Sequence, residues 1–112
     1  MALNTFKTKT AVLTTSDEQV YIAPAGITSI VIMAQVSNIT SSAVSATVYH
    51  RSGSGAGATD TELIKGFSIP GNDAASVITG KLVLETGQSV RALASANSSA
   101  KIILSILETL NG

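Results

Sequence analysis

Residues able to do chemistry are few in this sequence, and they are dispersed. His50 is the only histidine among 112 residues and cysteine is absent, which excludes disulfides, thiol catalysis and thiolate-bound zinc. Any Ser/His/Asp arrangement would have to be built on His50, between Tyr49 and Arg51 at the expected end of a strand. A general base needs a nucleophile and an orienting carboxylate in reach, and no acid adjoins His50 in sequence. The carboxylates Asp17, Glu18, Asp60, Glu62, Asp73, Glu85 and Glu108 fall largely in turns or near strand ends. Asp60 and Glu62, two residues apart, share one face of a strand and have the chemistry of a Ca²⁺ site or a glycosidase pair. The Asp-x-Asp-x-Asp-Gly calcium loop is missing, however, and Lys65 stands close enough to offset the charge. A solvated edge is the simpler reading. Catalytic, cofactor-binding and metal-ligating residues are therefore all expected to be absent, and the chain is not expected to be an enzyme.

Two further motifs resolve in the same direction. The Gly-rich stretch 52–58 (Ser-Gly-Ser-Gly-Ala-Gly-Ala) lacks the Gly-Lys-Ser/Thr ending of a phosphate loop, and no helical pattern follows it. It reads as a hairpin loop and a candidate interface loop. Asn38-Ile39-Thr40 and Asn97-Ser98-Ser99 fit the N-glycosylation sequon. No apolar stretch follows the early charges of Met1–Lys7, so a secretory leader is not expected and the sequons are set aside.

The elements that would position these residues have period two. Ile30, Ile32, Ala34 and Val36 alternate with Val31, Met33, Gln35 and Ser37, as Val44, Ala46 and Val48 alternate with Ser45, Thr47 and Tyr49. Ile102, Leu104 and Ile106 share one face of the last strand while Ile103 and Leu107 make the other face apolar too, which predicts a central strand or a subunit contact. Turn residues at Pro24-Ala25-Gly26, Ser37–Ser42, Pro70-Gly71-Asn72-Asp73, Thr86-Gly87 and Asn97-Ser98-Ser99 separate about eight strands near 5–12, 18–23, 28–37, 43–50, 61–69, 76–84, 88–95 and 101–109. The expected fold is all-β: one domain over 1–112, an antiparallel β-sandwich of jelly-roll-like type. Residues 1–10 form an extended arm or the first strand. Ile30, Ile32, Val48, Leu82, Leu84, Ile102, Leu104 and Ile106 are expected in the core. Of the aromatics, Tyr21, Tyr49 and Phe67 are expected to pack in the core or on a sheet, whereas Phe6, flanked by Thr and Lys, suits a neighbouring molecule.

Composition adds what the partners should be. Hydrophobic residues make up 45% and charged residues 12%, with seven bases balancing seven acids, against a usual charged share of about 25%. Zero net charge argues against nucleic acid as a partner. No apolar run approaches the roughly 18–20 residues of a membrane span. A small neutral surface poor in charge is weakly protected from association, which points to life inside an assembly. Phe6, Lys7, Lys9, His50, Arg51 and the loop glycines Gly53, Gly55 and Gly57 are the expected contact residues.

Taken together, several segments resemble the small virion proteins of tailed bacteriophages. They are Tyr21–Gly26 with Ser29–Ile32, Val36–Thr40, Ile69-Pro70, Gly80–Val90, Ala94–Asn97 and Leu104–Glu108. The resemblance spans about 20–109 and rests on strand-and-turn patterns without catalytic signatures; the Gly-rich loop departs from it. Read alone, Gly80–Val90 is a strand, a glycine turn and a partner strand, that is, a hairpin. The resemblance implies a β-sandwich made in the host cytoplasm and carried in many copies on the virion. Its expected role is a capsid cement or decoration protein gripping major capsid protein or other virion proteins as a homo-oligomer, with a trimer as the family-level expectation. A neck, collar, tail, baseplate or fibre component is the alternative, and a carbohydrate-binding adsorption module is the alternative from another class.

Overall fold

The computed structural model describes residues 4–53, 55–78 and 80–110. Nine strands lie in two antiparallel sheets, with no helix among the described residues. In chain order they are β1 (Asn4–Val12), β2 (Glu18–Ile22), β3 (Ile27–Asn38), β4 (Val44–Arg51), β5 (Asp60–Ile69), β6 (Ala74–Ser76), β7 (Leu82–Leu84), β8 (Ser89–Ala94) and β9 (Ala100–Leu110). The first sheet runs β1-β9-β3, with β6 and β7 both on the far side of β3; the second runs β2-β8-β4-β5. Pairing follows a simple rule: β1 with β9, β2 with β8, β3 with β6 and β7, β4 with β5. The chain is thus one long antiparallel ribbon doubled back at residues 52–59, then rolled so that β3 also meets β9 and β4 also meets β8. This is a jelly roll.

The core lies between the sheets. Val31, Ala34, Val36, Ile102, Leu104 and Ile106 enter from the first sheet, and Val48, Ile69, Val90 and the small Ala46, Ala92 and Ala94 from the second. Val48, Leu84, Ile102, Leu104 and Ile106 are buried as expected, and Leu82 is half-buried against them. Ile30 and Ile32 are not core: Ile30 is half-buried and Ile32 is 38% exposed. The cause is a bulge. Val31 pairs with Ile106 but Met33 pairs with Ser105, so Ile32 is one residue too many and the inward set changes from Ser29 and Val31 to Ala34, Val36 and Asn38.

The same bulge explains a second difference. The single strand expected at 76–84 is two short strands, with β6 pairing Gln35–Ser37 and β7 pairing Ser29–Val31 on either side of the kink. Gly80, with φ of 109°, turns the chain between them. A third difference concerns Gly80–Val90, which is not a hairpin. β7 belongs to the first sheet and β8 to the second, so the turn at Thr86-Gly87 carries the chain across the sandwich. Backbone bonds from Gly87 N–H to Ala23 O (3.0 Å) and from Ala23 N–H to Gln88 O (2.9 Å) hold that crossing. Phe67 takes the second of its two expected places, on a sheet and not in the core: half its surface is exposed on the edge strand β5.

Candidate functional site

The residues with chemical potential are occupied by one another. His50 Nε2 lies 3.2 Å from Gln88 Oε1, so a side-chain amide and no carboxylate faces the ring. Arg51 grips Asp60 with a fork, Nε to Oδ1 at 2.8 Å and Nη2 to Oδ2 at 3.1 Å. The guanidinium, and not Lys65, is therefore the partner of this acid, and it holds the Asp60 carboxyl below the ordinary range. Asp17 receives Arg91 Nε at 3.0 Å and lies 3.8 Å from Arg51 Nη2, while Arg51 stacks over the Tyr49 ring at 5.7 Å. Burial first, and then Asp17, push the Tyr49 phenol up. These groups share the outer face of the second sheet, because Tyr49, Arg91 and Glu62 are cross-strand partners, as are Arg51 and Asp60. Among the described residues no group of three or more His, Cys, Asp or Glu is placed to hold a metal.

The Gly-rich loop closes on itself. Ser52 N–H donates to Thr59 O, Thr59 N–H to Ser52 Oγ, and Ala58 N–H to Gly55 O. Those donors point into the loop and not toward a phosphate; Ser54 lies outside the described residues. The eight expected contact residues form two groups at opposite edges of the sandwich. Phe6, Lys7 and Lys9 stand on β1, whereas His50, Arg51, Gly53, Gly55 and Gly57 lie at the β4–β5 end of the other sheet.

Two buried polar clusters escaped the sequence reading. Glu108 is only 6% exposed. It accepts Tyr21 Oη at 2.5 Å and Lys7 Nζ at 3.1 Å, and Tyr21 Oη lies 2.6 Å from Ser29 Oγ. Tyr21 stands on β2, and Lys7, Ser29 and Glu108 on β1, β3 and β9, so the cluster ties the two sheets together. The Tyr21 bond and then Lys7 draw the Glu108 carboxyl below its ordinary value, against the opposing effect of burial. Burial and the Glu108 contact push the Tyr21 phenol up to about 12. An ionised Glu108 accepts only, so Tyr21 donates to it and Ser29 donates to Tyr21. Parity was the available signal: Glu108 continues the inward series Ile102, Leu104 and Ile106.

At the other end of β3, Asn38 is buried. Its Nδ2 donates to Ser42 O (2.7 Å), Ile69 O (2.9 Å) and Pro70 O (3.2 Å), and its Oδ1 accepts from Thr40 N–H and Oγ1. The sequon amide is thus consumed in joining two loops. Gly71 lies beside this knot, where a Cβ would come within 2.3 Å of Ser41 O, so only glycine fits.

The outer faces of the two sheets differ sharply. On the first, Phe6 pairs with Leu107, Leu107 with Ile30, and Ile30 with Val83, an apolar row across four strands. Its two ends are open, with Phe6 75% and Val83 53% exposed. The outer face of the second carries the Arg51–Asp60–Asp17–Arg91 network instead. The rings of Tyr21 and Tyr49 are buried, which leaves neither as a platform for a sugar.

No protein-family model matches the chain, and no curated protein matches it. Solved structures do share its shape. A chain of the Bacillus endospore appendages, described as a family of disulfide-linked pili, is similar with a TM-score of 0.52 at 12% identity, over 97% of this chain and 88% of that one. A chain of the T13 IBDV viral particle is similar with a TM-score of 0.56 at 11% identity, over 99% of this chain. The present chain spans about a third of that protein's length (32%). At these identities the likeness is one of fold: an all-β, jelly-roll-like sandwich.

Proposed function

We propose that this chain is a structural protein of a bacteriophage particle, a capsid cement or decoration protein that stabilises the shell through contacts with major capsid protein. The observation that carries the reading is strand β9, whose inner face fills the core while its outer face joins the exposed row from Phe6 to Val83. An apolar row that crosses an otherwise Ser-, Thr- and Gln-rich face and is open at both ends suits a protein neighbour. Likeness of fold to a chain of a viral particle supports the reading, as does the sequence resemblance to tailed-phage virion proteins. The likeness to a pilus chain points to assembly as well, but this sequence has no cysteine with which to make disulfide links. No enzymatic role is assigned. Phe6 on the outer face of the first sheet, with Lys7 and Lys9 along the edge of β1, would serve one side, and His50, Arg51 and the loop with Gly53, Gly55 and Gly57 the other. The free edge of β1 offers main-chain pairing to a neighbouring strand.

The test is the copy number of this chain in purified particles, by quantitative mass spectrometry against the major capsid protein. A ratio near one, or another large fraction, is expected. A handful of copies would make it a neck, collar, tail, baseplate or fibre component, and absence from the particle would overturn the reading. Binding to host glycan, with none in the particle, would favour an adsorption module.

A further inference from the structure

We infer that the outer face of the β1-β9-β3-β7 sheet is a homotypic interface, on which a second copy of this chain packs face to face about a two-fold axis running along the strands. Two observations carry this, and the order of side-chain sizes and the area support it. The row Phe6–Leu107–Ile30–Val83 spans the sheet without a polar break. Among the strand residues pointing outward from this sheet the only charged one is Lys101, at the far end beside Val12. Away from Lys101 a partner therefore needs no counter-charge, and an identical face meets that requirement over the apolar row.

The row also runs from bulky to small. A two-fold axis lying between β9 and β3 reverses it, setting Phe6 over Val83 of the second copy and Leu107 over Ile30, so that large side chains meet smaller ones across the roughly 10 Å that separates stacked sheets. The area lies at the low end of what a stable dimer needs. Nine residues of β1, eleven of β9, twelve of β3 and three each of β6 and β7, at about 3.3 Å each and with strands about 4.8 Å apart, give a face of about 600 Å². A standard interface takes about 800 Å² from each partner. The opposite sheet, with its ion pairs already satisfied, offers no comparable surface and is left for other neighbours. Because the same face meets itself, the unit is a dimer and not the trimer implied by the family resemblance. The inference stands without the virion reading, and it assigns the row that carries that reading to a second copy, leaving the edge of β1 and the β4–β5 end for major capsid protein.

The mass of the full chain in solution tests it, by light scattering at micromolar concentration. Twice the chain mass is expected for the native protein, and the chain mass for the double variant Phe6→Lys, Val83→Lys. Both substituted positions are exposed, so circular dichroism should be unchanged. Glu62→Lys, on the opposite sheet, should remain dimeric. A native monomer, a trimer, a dimer that survives the double variant, or a dimer broken by Glu62→Lys would each overturn the proposal. The register has its own readout, since the chain lacks cysteine. Mixed Phe6→Cys and Val83→Cys proteins should cross-link with a short bismaleimide far more than either variant alone. Cross-linking mainly between like positions would overturn the two-fold described.

Discussion

Strands β3 and β9 run antiparallel, with Asn38 opposite Ala100 at one end of the pair and Ser29 opposite Glu108 at the other. Each end buries one strongly polar side chain, yet of different kinds. Asn38 is a neutral amide that joins two loops through five hydrogen bonds. Glu108 is a carboxylate that joins the two sheets through a phenol and an ammonium. Burial costs a neutral amide far less than a charge, provided its partners are all present. One end of the sandwich should therefore be indifferent to pH, and the other should titrate.

The largest effect is expected from Asn38→Ala, which removes one partner from each of three carbonyls and two donors, although Ser42 O keeps Thr40 Oγ1 and Pro70 O keeps Asp73 N–H. Stability should fall by about 3 kcal/mol, and by the same amount from about pH 5 to about pH 8, as read from urea unfolding. A loss that varied across that range would break the comparison. Glu108→Gln should cost less, about 1–2 kcal/mol near neutrality. The sign follows from the lowered carboxyl. Its contribution is complete above the ordinary glutamate value of about 4.3 and is lost as pH falls through the lower folded value. The native protein should lose that component on acidification, and the Gln variant should lack it. Tyr21 behaves in the opposite sense. Its folded value of about 12 against an ordinary 10.0 means stability that is complete below pH 10 and is lost as pH rises through 12. Absorbance titration should find this phenol late, and Glu108→Gln should bring it earlier. Arg51→Ala should have the smallest effect, a slight loss that shrinks further in salt, because its pair with Asp60 faces solvent. A cost as large as that of Glu108→Gln would mean that the solvent-facing Arg51–Asp60 pair and the buried Glu108 cluster differ less than their exposure implies.

Alternation made most strands and most of the core legible, because inward positions every second residue leave a pattern that composition does not blur. It failed at β3, where one inserted residue, Ile32, exchanges the faces and sends two isoleucines outward; nothing in an apolar run marks a bulge. It failed again at Thr86-Gly87, since a glycine turn has the same residues whether the next strand pairs with its predecessor or crosses to the other sheet. Glu108 was legible by parity alone. Its partner was not, for Tyr21 lies 87 residues away and only the rolled topology brings them together. The apolar row had the same limit: Phe6, Ile30, Val83 and Leu107 become neighbours through three separate pairings.

The doubled ribbon also sets an order of events. Each pairing outward from residues 52–59 encloses a longer segment, from β4 with β5 to β1 with β9, so the entropy of closing each loop rises along the series. The hairpin at the tip is the natural nucleus, and contacts so far apart in sequence make folding slow, on a scale of milliseconds to seconds. β9 is the last of the nine strands to leave a ribosome, yet it occupies the middle of its sheet, between β1 and β3. Until it arrives, β1 has no partner and half the core has no wall. Such a chain closes its first sheet, and completes its apolar outer row, only once β9 is in place.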